Sequence, residues 1–294
     1  MEGRVAPFRA LRFRAEKVGE LGTVWAPPYD VITPETAVEL RASSPHNIVR
    51  ITNPEGEEPE RYAEAARTLE SWVEGGSLGR EAEPTLYVHR HSFRMGAESH
   101  VRTGIWALLK LAPFDAGVVL PHERTMSGPK ADRLALMRAC RAQLSPIFFI
   151  CSDPDARIRK LLEELVAKEP SERAEFPAGE SHQVWQVDEQ RAVERLTALL
   201  DGQIFLIADG HHRYETALAY RDELVAAGAP ATGRQAHEYV LAYVVPEGDP
   251  GLLLLPTHRV VAGDQLNWVG AVLKASGRFE VVRLGEAELD SIER

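Results

Sequence analysis

The stretch Ile204-Phe-Leu-Ile-Ala-Asp-Gly-His-His-Arg-Tyr-Glu-Thr-Ala-Leu218 decides the fold class. A short apolar run ends in Asp209-Gly210. Two histidines and an arginine follow at once, and then a helical pattern begins. The order reads as a strand, a tight turn and a helix N-terminus. Backbone N–H groups at such an N-terminus favour anions, and the Arg213 guanidinium adds a fork of donors. Buried strands of α/β folds deliver their ends to clefts, so the polar cluster is expected in a pocket.

Working outward, residues 5–13 and 23–26 read as extended. Residues 34–42 read as a short helix with Thr33 as N-cap and Pro34 at its first position. Residues 46–52 form a β-rich run, 61–74 show helical spacing, and 84–93 with 101–111 read as a hairpin. Beyond residue 112, strands are predicted at 118–120, 146–150, 184–187, 204–208, 239–245, 252–255 and 279–284. Helices are predicted at 132–141, 154–167, 189–200, 211–227 and 264–276. Residues 169–179 read as a Pro- and acid-rich loop. Strands and helices alternate, so the class is α/β or α+β. Residues 285–294 look like the start of a further helix, as though the chain stopped inside a longer element.

The bulk numbers narrow the function. A chain of 294 residues with 44% hydrophobic and 27% charged residues is that of a globular protein with a sizeable core. Its net charge of -10 argues against general duplex DNA binding, which needs a phosphate-neutralising surface. The two cysteines, Cys140 and Cys151, stand in no metal-ligand spacing, and a reduced, cytoplasmic protein is expected. No apolar run is long enough for a membrane span.

Four constellations could carry chemistry. In the first, Gly210 permits a positive φ, Arg213 can grip a phosphate, His211 and His212 can donate to phosphate oxygens or move protons, and Asp209 can hold magnesium or accept a proton. The plain alternative is a turn with Asp209 as N-cap. The second is His122-Glu-Arg-Thr125 after a short apolar strand, with Glu123 as candidate base. Lys130 and Arg133 follow at the start of a helix and could reach phosphates. The third, Trp25-Ala-Pro-Pro-Tyr-Asp30, fixes Tyr29 and Asp30 on an extended backbone. The fourth is Pro256-Thr-His-Arg259, with His258 and Arg259 after a leucine run. Zinc is a weaker reading, because adjacent helical residues such as His211 and His212 diverge by roughly 100°. H-E-x-x-H, Walker and G-x-S-x-G patterns are absent.

Ala26-Pro-Pro-Tyr-Asp-Val-Ile32, His122-Glu-Arg-Thr125, Ala208-Asp-Gly-His-His-Arg-Tyr214 and Pro256-Thr-His-Arg-Val260 occur in this order in a bacterial family that the chain resembles, the domain-of-unknown-function 1015 family. The likeness runs from about Pro7 to Val261, and members of that family usually extend further at the C-terminus. The second half more remotely resembles the ParB/sulfiredoxin superfamily, through Asp-Gly-His-His-Arg. That superfamily includes nucleotide-dependent free-serine kinases. The resemblance implies an N-terminal α/β region over 1–111, a ParB/sulfiredoxin-like α+β domain with insertions over 112–284, and a truncated element over 285–294. It implies Glu123 as base on a substrate hydroxyl, with Asp209 and His212 also catalytic. Gly210, His211, His212, Arg213, Lys130 and Arg133 would hold nucleotide phosphates. Tyr29, Asp30, His122, Thr125, His258 and Arg259 would line the substrate site. The departure is a long insertion, about 151–201, between the two motifs. Sulfiredoxin chemistry needs a cysteine in the signature, and none is there.

The expectation is therefore a kinase that moves phosphate from ATP or ADP with Mg2+, held in part by Asp209, to a small hydroxyl metabolite such as a free amino acid. The alternatives are a nucleotide-binding regulatory module without phosphotransfer and, against the acidic charge balance, a nucleic-acid-binding or nuclease-type protein.

Overall fold

Side chains that alternate between apolar and polar make half-buried strands, and unbroken apolar runs make strands covered on both faces. Both kinds occur here. The computed structural model describes residues 3–123, 125, 127–255 and 266–277. Its strands are β1 (Val5–Ala6), β2 (Leu11–Phe13), β3 (Leu78–Arg80), β4 (Tyr87–Met95), β5 (Glu98–Lys110), β6 (Val119–Leu120), β7 (Ile147–Cys151), β8 (Glu172–Glu175), β9 (Ser181–Gln186), β10 (Phe205–Asp209) and β11 (Tyr239–Pro246). Its helices are α1 (Ala15–Val18), α2 (Pro34–Ser43), α3 (Val49–Thr52), α4 (Glu60–Glu74), α5 (Ser127–Cys140), α6 (Arg157–Val166), α7 (Gln190–Asp201), α8 (His211–Ala226) and α9 (Leu266–Ala275).

A nine-stranded sheet runs in the order β6-β10-β7-β11-β5-β4-β9-β8, with β1 antiparallel to β5. β2 and β3 pair on their own. The sheet is mixed: β6 with β10 and β7 with β11 are parallel, and the β10–β7, β11–β5, β4–β9 and β8–β9 pairs are antiparallel. The protein is thus a mixed α/β fold. The sheet takes β4 and β5 from before residue 112 and β6 to β11 from after it, so it runs across the boundary expected at 111 and 112. Met1–Arg94 with Ser99–Leu252 make one unit, and Met95–Glu98 with Leu253–Arg294 make a second, to which α9 belongs.

One sheet face carries the main core. Val88, Ile105, Phe149, Ile207 and Val244 pack there with Leu161 of α6, Leu196 of α7 and Tyr214 of α8. Alternation sends His89, Trp106 and Val184 to the other face, between residues of that core.

Local chemistry explains where the elements differ from expectation. Residues 46–52 are not a strand. Asn47, fully buried, accepts the Val49 N–H on Oδ1 at 3.0 Å and donates from Nδ2 to the Thr23 and Trp25 carbonyls at 2.8 Å each. That capping starts α3 and lets β-branched residues go helical. Residues 21–24 form a 3-10 turn, not an extended run. The 169–179 segment contains β8, which pairs with β9. Helix α6 starts at Arg157, because both Asp153 carboxylate oxygens accept backbone N–H groups, from Ile158 and Arg159, at 3.0 Å. Thr33 caps α2 as expected, accepting the Thr36 N–H at 3.2 Å. Residues 252–255 lie in no strand. The strand expected over 279–284 and the helix start over 285–294 lie outside the described residues.

Candidate functional site

Strand β10 and helix α8 meet at Gly210, whose φ of 98° is a conformation that glycine adopts without strain. Gly210, not Asp209, is the residue before the helix, and no side chain caps it. The α8 start is pinned from below by Tyr214. Its buried hydroxyl donates to the Ala112 carbonyl at 2.8 Å and accepts the Ala112 N–H at 3.1 Å.

His211 points inward and is only 2% exposed. Because β6 runs parallel to β10, the residues after β6 arrive beside it. The His122 backbone N–H donates to His211 Nε2 at 3.2 Å. That leaves the proton on His211 Nδ1, which lies 3.1 Å from Glu123 Oε1. The His122 ring donates from Nδ1 to the Ile207 carbonyl at 2.7 Å. Burial, the largest effect, lowers the His211 pKa against the opposing pull of Glu123. The ring is therefore held toward its neutral form beside an exposed carboxylate.

A second carboxylate, Glu215, sits one helical turn beyond His211. Its Oε2 accepts from Thr125 Oγ1 at 2.5 Å and from Lys130 Nζ at 2.7 Å. Burial pushes its pKa up, but the bonds from Lys130 and Thr125 outweigh this and hold it below the usual carboxylate range. Glu215 was not singled out in the sequence. An acid four residues after His211 in a helix is too common a pattern to stand out.

Arg213 turns the other way. Its guanidinium bonds the Asp209 carboxylate and the Pro146 carbonyl. With Tyr29, Thr52 and Arg133 it lines a recess of about 50 Å³. The Arg133 guanidinium carbon lies 4.1 Å from the centre of the Tyr29 ring, and its Nη1 donates to the Thr52 carbonyl at 2.6 Å. Arg133 also pairs with Asp132. Burial raises the Tyr29 hydroxyl pKa, opposed by Arg133. Asp30 is exposed beside it.

The structure thus gathers the expected residues into two groups flanking the first turn of α8. His122, Glu123, Thr125, Lys130 and His211 form one. Tyr29, Arg133, Asp209 and Arg213 form the other. The recess that Arg213 lines does not include Glu123. His258 and Arg259 lie outside the described residues.

His122, Glu123 and His211 are close enough to share a metal ion. The bonding pattern opposes it. The His122 amide already occupies the His211 Nε2 lone pair, and His211 Nδ1 carries a proton. Magnesium prefers oxygen ligands. Here Asp209 offers the carboxylate oxygen that is not in its bond to Arg213, which fits a single protein ligand to a metal otherwise held by phosphates. Both cysteines are free, and burial raises their thiols to about 11 for Cys140 and about 12 for Cys151, so neither is a ready nucleophile. Among the described residues, no helix is long and apolar enough to cross a membrane.

Neither the curated proteins nor the solved structures give a match to the chain. A family model described as "Protein of unknown function (DUF1015)" matches residues 5–291, and the chain belongs to that family.

Proposed function

We propose that the first turn of α8 holds the phosphates of a nucleotide and that the protein transfers a phosphoryl group from ATP or ADP to a hydroxyl of a small metabolite. The observation that carries this reading is the α8 start, which has no side-chain cap, follows a positive-φ glycine and stands between Glu123 and Arg213. An uncapped helix N-terminus offers N–H donors and a positive dipole end to an anion. The likeness of Asp209–Arg213 to the ParB/sulfiredoxin kinases supports the same assignment.

In this reading Glu123 takes the hydroxyl proton, and the freed oxygen attacks the terminal phosphorus. The bond from phosphorus to the bridging oxygen breaks, and its electron pair leaves with the shortened nucleotide. His211 Nδ1 lies beside Glu123, and burial favours the neutral form of that ring. Lys130 and Arg213 supply positive charge on either side, each from a carboxylate pair that a phosphate would have to share. Mg2+ would screen the phosphate charge, with Asp209 as its protein ligand.

Calorimetric titration with ATP and with ADP, each with magnesium, tests the reading. Binding of either in the micromolar range is expected, with phosphotransfer to a member of a hydroxy-amino-acid panel. No binding of either nucleotide at millimolar concentration would overturn it. A regulatory module would bind nucleotide and transfer nothing.

A further inference from the structure

A cavity of about 600 Å³ lies on the sheet face opposite the main core. Phe13 and Trp25 of the N-terminal segments line it, together with Trp106, Phe176 and His182. All five rings are only partly buried, so each keeps surface that a ligand can touch. Trp25 meets His182 edge-on at 5.2 Å, and His91 stacks on His182 at 4.2 Å and 10°.

The hairpin of β8 and β9 brings a carboxylate to this wall. His182 and Val184 line the cavity from β9, and the alternation that puts them there gives Glu180 to the same side, where it too lines the cavity. Its Oε2 accepts from His91 Nε2 at 2.5 Å. Burial lowers the His91 pKa against the pull of Glu180, so the bond comes from a neutral ring. Among the described residues, Glu180 has no lysine or arginine within ion-pair distance; His91 is its one partner. The side chain is 31% exposed, so the carboxylate is within reach of a ligand.

The other charges nearby are matched. Arg12 pairs with Glu81 at 2.9 Å and Glu172 at 3.2 Å, and Arg14 joins Glu81 at 3.1 Å. Arg102 stands behind His91, donating to its Nδ1 at 3.3 Å, and its field is shared with Asp249. Arg12 and Arg14 thus offset Glu81 and Glu172, Arg102 offsets Asp249, and the charge of Glu180 is left over. A metal ion does not fit, although His91, Glu180 and His182 are close together. His182 Nε2 donates to the Phe176 carbonyl at 2.6 Å, and its Nδ1 lone pair takes the His89 Nε2–H at 2.9 Å, so that ring has no lone pair to give. A lone carboxylate among aromatic rings suits an organic ammonium. The oxygens take its N–H bonds, and the rings cover its apolar body and attract its charge.

We propose that this cavity is a second ligand site, for a protonated primary amine with an aromatic body, whose ammonium bonds Glu180 and whose ring lies among the aromatic side chains of the wall. The assignment does not rest on phosphate binding at α8.

Tryptamine and tryptophol test it on the full chain, since they share the ring and linker and differ only in ammonium against hydroxyl. Calorimetry and ligand-observed NMR should show tryptamine binding in the sub-millimolar range, with tryptophol at least about tenfold weaker. In Glu180→Gln, which keeps an oxygen for His91 and loses the charge, the two should bind alike. Glu172→Gln should keep the preference for the amine, and Trp25→Ala should weaken both compounds. Should a variant fail to fold, judged by circular dichroism, the comparison on the native chain decides alone. No tryptamine binding at millimolar concentration, equal affinity for the two compounds on the native chain, or a preference for the amine that survives in folded Glu180→Gln would each overturn the proposal. So would a preference lost in folded Glu172→Gln or tryptamine binding undiminished in folded Trp25→Ala.

Discussion

His211 Nδ1 lies 3.1 Å from Glu123 Oε1, and the His122 amide fills the ring's Nε2 lone pair. The carboxylate thus stands beside a ring that is itself fixed by backbone. Glu123→Gln keeps the shape beside His211 but cannot take a proton. Phosphotransfer should fall about a hundredfold or more while the affinity for magnesium nucleotide stays unchanged. Turnover that survives would remove Glu123 as the base.

This relationship shows what was legible beforehand. Strand β10, the Gly210 turn and α8 could be read from Ile204–Leu218, since an apolar run, an Asp-Gly pair and a helical pattern are local signals. So could the hairpin of β4 and β5. The tie between His211 and the His122 amide could not, because it depends on β6 lying parallel to β10, and a two-residue strand carries no pairing signal of its own. The α3 turn was missed for a related reason: Asn47 overrides the β-propensity of Val49, Ile51 and Thr52 by bonding carbonyls 22 and 24 residues away. The stacked imidazoles of His89, His91 and His182 left one trace, His89-Arg-His91, whose i, i+2 spacing puts two of them on one strand face. Their partner, His182, arrives only through β9.

His211→Leu removes an acceptor from the His122 amide and the imidazole beside Glu123. The loss of a buried partner costs about 1–3 kcal/mol, and Glu123, being exposed, is rehydrated at little cost. Urea unfolding should show a lower midpoint with the slope unchanged. A variant as stable as the native chain would mean that the His122 amide finds another acceptor.

Gly210→Ala strains two things at once. The backbone sits at φ 98°, and an added Cβ would lie 3.0 Å from the Arg213 guanidinium. The backbone alone should cost about 1–3 kcal/mol. Displacing Arg213 from Asp209 and Pro146 should also weaken nucleotide binding. Thermal unfolding reads the first effect and calorimetry the second.

Asn47→Ala tests the anchoring of α3 to the segment around Thr23 and Trp25. The side chain bonds Thr23, Trp25 and Val49 from a fully buried position, so its loss leaves the Trp25 carbonyl and the Val49 amide without that partner, while the Thr23 carbonyl keeps the Ser43 hydroxyl. A loss of about 2–4 kcal/mol is expected by urea unfolding, taking one unmet buried group after another with partial relaxation. A midpoint equal to that of the native chain would mean that the Trp25 carbonyl and the Val49 amide find other partners.

The histidine row should make stability fall in mild acid. His89, His91 and His182 each have a folded-state pKa below the ordinary 6.5, mainly through burial. The unfolded chain takes up protons near 6.5, while folded His182 resists until about 4. Between those values the unfolded state binds more protons, so stability rises with pH there. The contribution is complete above about pH 6.5 and is lost as the pH falls toward about 4. Arg102 faces His91 and deepens the effect. Glu180 opposes it at His91, and Glu172, whose carboxyl is raised by burial, opposes it by binding a proton early in the folded state. Urea midpoints measured at about pH 7.5 and about pH 5 should differ, with the lower value in acid. His182→Gln, whose amide can still donate to the Phe176 carbonyl but does not titrate, should shrink that difference. A midpoint that is flat over this range would mean that the three imidazoles titrate in the folded protein much as they do in the open chain.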